Sequence, residues 1–168
     1  MFSVNSYKKR FDANKVTILS SGGNPYIVRT ALNNGLKGYI DEDVSYLNDG
    51  NTISFGQDTA TMFYQENPYF TGDKIKILKS KFEKFGRKNA HFMLASMTKS
   101  FSSFSWGANS YSISVIENQI INVPIKDGKI DFEYMETLIS AIQKLVIKDV
   151  VIWADKKIEL TKQVTERS

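Results

Sequence analysis

The first 80 residues alternate short apolar runs with clusters of Gly, Asn, Asp, Ser and Pro. "SSGGNPY", "NNGLKG", "LNDGN" and "ENPYFTGD" are the punctuation, supplying positive φ angles or preset turns. Between them lie "KVTIL", "YIVRTA", "GYI", "NTISF", "TATMFYQ" and "DKIKILK", each short enough to be a strand. In the last run Ile75 and Ile77 alternate with Lys74 and Lys76. That is the period of a strand with one face buried and a lysine face in water.

From Asn89 the period lengthens. Ala90, Met93, Leu94, Met97 and Phe101 recur at helical spacing, and with Asn89 as cap they predict a helix over about residues 90–100. "SSFSWGANS" then reads as loop, "YSISVI" and "IINVPI" as two more short strands, and "IKDGK" as a turn. Beyond it Asp131 can cap a helix bearing Phe132, Met135, Leu138, Ile139, Ile142, Leu145, Val146, Val150, Trp153 and Ile158 at spacings of three and four. Such a helix runs to about 35 residues, roughly 50 Å. Its weak point is "LVIKDVVIW", where β-branched crowding also suits a strand or a break. The charged residues interrupt this stretch at helical positions, which favours the helix. Its apolar stripe is longer than a small β-domain can cover, so it calls for a second helix from another chain or a missing half. The pattern predicts an α+β protein: a β-rich domain over 1–128 and a C-terminal helix over 129–168 for dimerisation or partner docking.

Composition narrows the class. A chain of 168 residues that is 42% hydrophobic can bury one domain core but not two comfortable ones. With no cysteine, disulfides and thiolate metal sites are excluded, and nothing suggests an oxidising compartment. "MFSVNSYKKRFDANK" lacks the apolar core of a signal peptide, and no stretch approaches the roughly 18 apolar residues that span a bilayer. A soluble, cytoplasmic protein without a membrane partner is expected. The net charge is only +4, yet Lys74 to Lys99 holds eight basic residues against one acid, Glu83. From Glu117 onward eight basic residues face nine acids. A concentrated basic zone beside a balanced tail suits a phosphate backbone, and equally an ordinary solvated surface.

Signs of catalysis are scarce. The single histidine, His91, sits inside the apolar helix pattern, where a structural role is expected. There is no nucleophile elbow, phosphate loop, zinc-binding H-E-x-x-H or dinucleotide fingerprint. "ENPYF" lacks the second proline of an amino-methyltransferase motif and reads as a turn. Asp58, Asp73 and Glu66 could form an acidic metal site, but no lysine follows in E-x-K spacing. Neither catalytic residue, metal nor cofactor is expected.

Three long stretches instead carry a resemblance. "KKRFDANKVTILSSGGNPYIVRTALNNGLKGYID", "GNTISFGQDTATMFYQENPYFTGDKIKIL" and "SFSWGANSYSISVIENQIINVPIKDGKIDFEYME" resemble the target-recognition domain of type I restriction-modification specificity subunits, of the variety also found in type IIB and type IIG systems. The resemblance covers nearly the whole chain, with several motifs in order. It implies a non-catalytic, β-rich recognition domain followed by a long conserved-region helix that packs antiparallel against its counterpart. It also implies double-stranded DNA as target and a methyltransferase subunit as partner, with a restriction subunit as a further candidate. A full specificity subunit carries two such domains and two helices, each domain reading half of a split site, whereas this chain has one of each. A half-subunit that self-pairs or joins a second half, a fragment, and the terminal domain of a larger enzyme all remain open.

The residues offer the chemistry such reading needs. Gln57, Asp58 and Thr59 stand on a loop after a glycine, Arg29, Thr30, Asn33 and Asn34 on a second, and Ser105, Trp106 and Asn109 on a third. Gln and Asn can pair with adenine, Arg with guanine, and Asp can accept from cytosine. Lys74, Lys76 and Lys79, on one face of their strand, are expected to track the phosphates, with Arg87 and Lys88 beyond. Met62 and Phe63 are expected to pack beneath residues 57–61 and hold that loop rigid, and Tyr64 and Tyr69 to be packing residues. A turn closed by Gln57 and Asp58 on backbone amides is the plain alternative. A second class of function is an interaction or decoy module that occupies a methyltransferase without reading DNA.

Overall fold

The computed structural model describes residues 1–102 and 111–165. The described elements, numbered along the chain, are β1 (Phe2–Ser6), β2 (Asn24–Ile27), β3 (Leu36–Ile40), β4 (Thr52–Gly56), β5 (Met62–Gln65), β6 (Phe70–Thr71), β7 (Ile75–Ser80), α1 (Arg87–Phe101), α2 (Ile113–Glu117), β8 (Ile125–Lys126), β9 (Lys129–Ile130) and α3 (Phe132–Thr165). This is the expected α+β arrangement, a β-rich part followed by a long helix. An antiparallel sheet has the order β1-β7-β4-β5, and a second sheet the order β3-β2-β6, with β2 and β6 parallel.

The two faces of the first sheet explain the layering. Registers Val4↔Leu78, Ile53↔Leu78 and Ile53↔Tyr64 put these side chains on one face. There they join Ala90, Met93, Met97 and Phe101 of α1 in the larger core. On the opposite face Ile75 and Ile77 meet Ile27 and Tyr69 beneath the second sheet. Each large side chain fully buried here contributes about 1.5–3 kcal/mol. The polar partners on that inner face are satisfied: the Thr52 and Tyr69 hydroxyls lie 3.1 Å apart, and Gln65 Nε2 donates to Ser54 Oγ at 3.0 Å.

β7 therefore has no lysine face. Lys76 shares the α1 side with Leu78, while Lys79 shares the other side with Ile77, so the expected single face of Lys74, Lys76 and Lys79 does not form. The alternation at residues 74–77 breaks at Leu78 because the strand is covered on both sides, a pattern that period two cannot express.

Other elements depart for local reasons. β1 is "FSVNS", where two apolar residues give little pattern and pairing with β7 supplies the order. "YSISVI" is not a strand: Ser112 Oγ accepts from Val115 N at 3.3 Å, capping α2, and Ile116 rather than alternate residues is buried. Of "IINVPI" only Ile125 enters a ladder, in a hairpin whose turn has Asp127 at φ 50 and Gly128 at φ 73. "KVTIL" holds one bridge, Leu19↔Tyr39. "YIVRTA" ends as a strand at Ile27, after which the chain loops back so that Val28 N donates to Gly35 O.

α1 starts at Arg87, three residues earlier than expected, with Gly86 at the cap position. Asn89 still caps, from inside: its Oδ1 accepts from Gly86 N at 2.8 Å. Its Nδ2 donates to Lys84 O at 2.8 Å and Glu136 Oε1 at 3.3 Å, tying α1 to α3.

α3 runs unbroken through "LVIKDVVIW", and its 34 residues reach about 51 Å. Asp131 Oδ1 accepts from Tyr134 N at 2.9 Å, as a cap should. The first turns dock on α1, where Met135 is completely buried. From Ile142 to Leu160 the large apolar residues are exposed, Leu145 by 62% and Trp153 by 63%. Among the described residues no helix is long and apolar enough to cross a membrane.

Met135→Ala is expected to lower unfolding stability by about 2–5 kcal/mol in urea melts, because α1 cannot close over the vacated site. Ile120→Ala, at a position 84% exposed, is expected to stay within about 0.5 kcal/mol. A pH effect arises at Tyr26, whose hydroxyl donates to Phe11 O at 2.7 Å. Burial, then the nearby Asp12 charge, pushes its phenol from 10.0 up to about 12. Below pH 10 both folded and unfolded chains keep the proton. Between about 10 and 12 the unfolded chain ionises first, so stability falls there. Thermal melts of Tyr26→Phe across this range are expected to lose part of that fall, from a lower starting stability.

Candidate nucleic-acid interface

The loop between β4 and β5 is held mainly by its own backbone. Ala60 N donates to Gly56 O and Gly56 N to Thr61 O, both at 2.8 Å, with Ala60 at φ 49. A Cβ on Gly56 would collide with the Thr59 and Thr61 hydroxyls, which lie 2.8 Å from one another. Gln57 is anchored on both sides: its N–H donates to Lys74 O and its carbonyl accepts from Tyr111 N, each at 2.9 Å. Tyr111 in turn packs edge-on against Phe55 and Phe101. Met62 and Phe63 are half-buried behind the loop, as expected of packing residues.

The second loop, residues 28–35, is similarly closed. Leu32 N donates to Thr30 Oγ1 at 3.2 Å, and Asn33 and Asn34 take φ of 46 and 57. Asparagine tolerates that left-handed conformation better than most residues. Asn34 Nδ2 donates to Tyr64 O at 3.4 Å and Gln65 Nε2 donates to Asn34 O at 3.1 Å, so the loop is pinned to the end of β5. Asn33 Nδ2 reaches Leu36 O at 3.5 Å. Both asparagines keep exposed surface while shaping the turn.

Asp58 joins the two loops. Its Oδ2 forms an ion pair with Arg29 Nη1, and Lys74 Nζ approaches the same oxygen at 2.9 Å. Arg29 and Asp58 side chains are about 30% exposed, and Lys74 is 48% exposed. Beside them opens a depression of ≈ 530 Å³ whose rim includes Arg10, Arg29, Lys37, Thr59 and Asp73. Arg10 Nη1 and Asp73 Oδ1 are 3.5 Å apart. The structure thus brings together Arg29, Gln57, Asp58, Thr59 and Lys74, with Thr30, Asn33 and Asn34 on the same loop as Arg29. Lys76 stands apart, its Nζ donating to Ser6 Oγ at 3.2 Å. Ser105, Trp106 and Asn109 lie outside the described residues.

Arg10 and Lys37 were not among the expected contacts. The signal was present in "YKKRFD" and "GLKGY", but only the fold carries these cations to the same rim. The basic block is also more diluted than its sequence suggests. Lys79 pairs with Asp49 at 2.8 Å and Arg87 with Glu66 at 3.7 Å, acids from outside the block. Asp58, Asp73 and Glu66 each face a different cation, and among the described residues no three acids or histidines gather as a metal site. His91 packs against the Tyr64 ring, 6.4 Å between centroids, and burial followed by the Arg87 charge pushes its pKa down. That environment favours a neutral, packed imidazole, the structural role its place in the pattern predicts.

Comparison with known proteins gives these residues a family. The specificity subunit S.BcgI of a type II restriction enzyme from Heyndrickxia coagulans is 34% identical over 139 residues, covering 80% of this chain and 39% of that protein. The chain thus spans about two fifths of the length of this curated relative. A solved type I restriction-modification S subunit from M. genitalium aligns over 90% of this chain and 41% of its own, with 18% identity and a TM-score of 0.41, too low to carry an argument. Residues 1–151 match the model of the type I restriction modification DNA specificity domain, and the chain belongs to that family.

Proposed function

We propose that this chain reads a specific double-stranded DNA sequence for a restriction-modification system, as one half of an interrupted site, and directs a methyltransferase to it. The observation that carries the reading is the meeting of Arg29, Gln57, Asp58, Thr59 and Lys74, from three separate segments, at one end of the two-sheet head. Backbone hydrogen bonds hold their loops before any ligand arrives, which spares ordering entropy on binding. Guanidinium, amide and hydroxyl groups are the types that discriminate base edges, and flanking cations are the type that holds phosphates. The module itself does no chemistry in this reading.

α3 supports a partner. Val150, Val151, Ile152 and Trp153 are consecutive and all exposed, so apolar side chains occupy most of the helix circumference there. A contiguous apolar surface of this kind marks an interaction site. In this reading α3 pairs with the helix of a second half, from the same or a similar chain, and with the methyltransferase. Restriction-subunit contact would follow through that assembly. If two identical chains pair, their two-fold axis makes the target symmetric, with α3 setting the spacing between half-sites.

Selection of bound duplexes from a random library, with and without a candidate methyltransferase, tests the reading. Enrichment of an interrupted motif, with affinity falling steeply as salt rises, is the expected result. A chain that captures the methyltransferase but shows no salt-dependent DNA affinity would be an interaction module instead. On the enriched site, Lys37→Ala, which removes a cation from the rim beside Arg29, is expected to weaken cognate and random duplexes alike and to reduce the salt slope by about 1. Arg29→Ala is expected to relax one base pair by about 1–3 kcal/mol. Trp153→Glu is expected to shift sedimentation from paired to single chains while leaving that base preference intact.

A further inference from the structure

Arg29, Asp58 and Lys74 are more than three neighbours. Both cations reach one carboxylate oxygen, Asp58 Oδ2, from two different segments, while the loop that carries Asp58 is fixed by Gln57 to Lys74 O and Tyr111 N. Arginine has five donors in a rigid fork, and one ionic contact leaves the others to be used elsewhere. Arg29 also lines the open depression, which a ligand can enter.

We propose that Asp58 is not itself a base reader but a positioning residue that clasps Arg29 and keeps its fork directed at a single guanine. This rests on the DNA-reading function proposed above. Two consequences of charge separate the clasp from a direct contact. First, a carboxylate beside two cations cancels one of their charges and repels phosphate, so it weakens attachment to arbitrary DNA. Second, a clasped guanidinium cannot swing to the nearest phosphate, so its binding depends on a base edge that offers two acceptors, which guanine does through N7 and O6. Asp58 thus trades general affinity for discrimination. A direct reader would behave otherwise: an Asp accepting from cytosine N4 would govern a base pair of its own, whether or not Arg29 is present.

The test uses the full chain, the selected duplex, single-pair variants of that duplex and a random duplex. Asp58→Asn, Arg29→Ala and their double variant are titrated across a salt series. The clasp predicts that Asp58→Asn binds random duplex more tightly, with a salt slope steeper by about 1. It also predicts that discrimination falls by about 5- to 150-fold at the base pair that Arg29→Ala relaxes. In the Arg29→Ala background, Asp58→Asn should then change discrimination no further. Should Asp58→Asn fail to fold, Asp58→Glu keeps the charge and moves the carboxylate by one methylene. That variant is expected to weaken discrimination at the same pair with random-duplex affinity unchanged. A loss at a different base pair, a loss that persists without Arg29, or unchanged discrimination in a folded variant would overturn the clasp. Absence of salt-dependent binding by the unaltered chain would instead remove the DNA-reading function, and the clasp with it.

Discussion

The double burial of β7 is the constraint on which the rest of the molecule depends. Leu78 faces α1, Ile75 and Ile77 face the second sheet, and both neighbours in its own sheet pair with it along five residues. The turn that feeds this strand therefore has little freedom. Lys74 sits in that turn at φ 54, its carbonyl accepts from Gln57 N, and its ammonium reaches Asp58. Through Asp58 the same constraint extends to Arg29 on a different loop. Packing inside the head thus fixes polar groups at its end, the order of cause expected when a functional loop is mounted on a rigid scaffold.

Much of this was legible in the sequence, and the lapses share a physical cause. The turn clusters, the helix beginning near Asn89 and the long final helix follow from local chemistry: Asn and Gly at positive φ, apolar residues at helical spacing, Asp131 at a cap. β1, the two-sided β7 and the short β6 depend on partners far along the chain, which no local window contains. "YSISVI" alternates like a strand, yet a single serine cap outweighs that alternation. At the candidate interface the loops proposed to read DNA are visible as polar residues after turn signals. Their mutual ion pairing was not, since Arg29 and Asp58 are 29 positions apart and only the two-sheet packing brings them together. The same long-range placement brings Arg10 and Lys37 to one rim.

α3 shows how little of a helix's stability need come from its own domain. Its first turns bury Met135 against α1, and Asn89 hydrogen-bonds Glu136 at the junction. Past Ile142 the apolar residues stand in solvent, and β-branched residues crowd where helix propensity is lowest. An apolar surface this wide on an extended helix is the feature a chain in water is least able to leave uncovered, because each buried CH₂ is worth about 0.8 kcal/mol. Tertiary packing normally supplies most helical stability, and among the described residues it falls on the first turns.

Under the proposed DNA-reading function, the distribution of charge favours discrimination over raw affinity. A net charge of +4 is modest, and Lys74, Lys79, Arg10, Arg29 and Arg87 all face carboxylates within 4 Å. Half-exposed pairs of this kind add about 0–1 kcal/mol each to stability, so folding gives a weak reason for so many. Their stronger effect is on what approaches from outside. Each acid cancels a cation that would otherwise release a counterion from DNA, which lowers binding to every sequence alike. Groups held this way yield net attraction only to a surface that matches them donor for acceptor, and a base edge can supply that match where a uniform line of phosphates cannot.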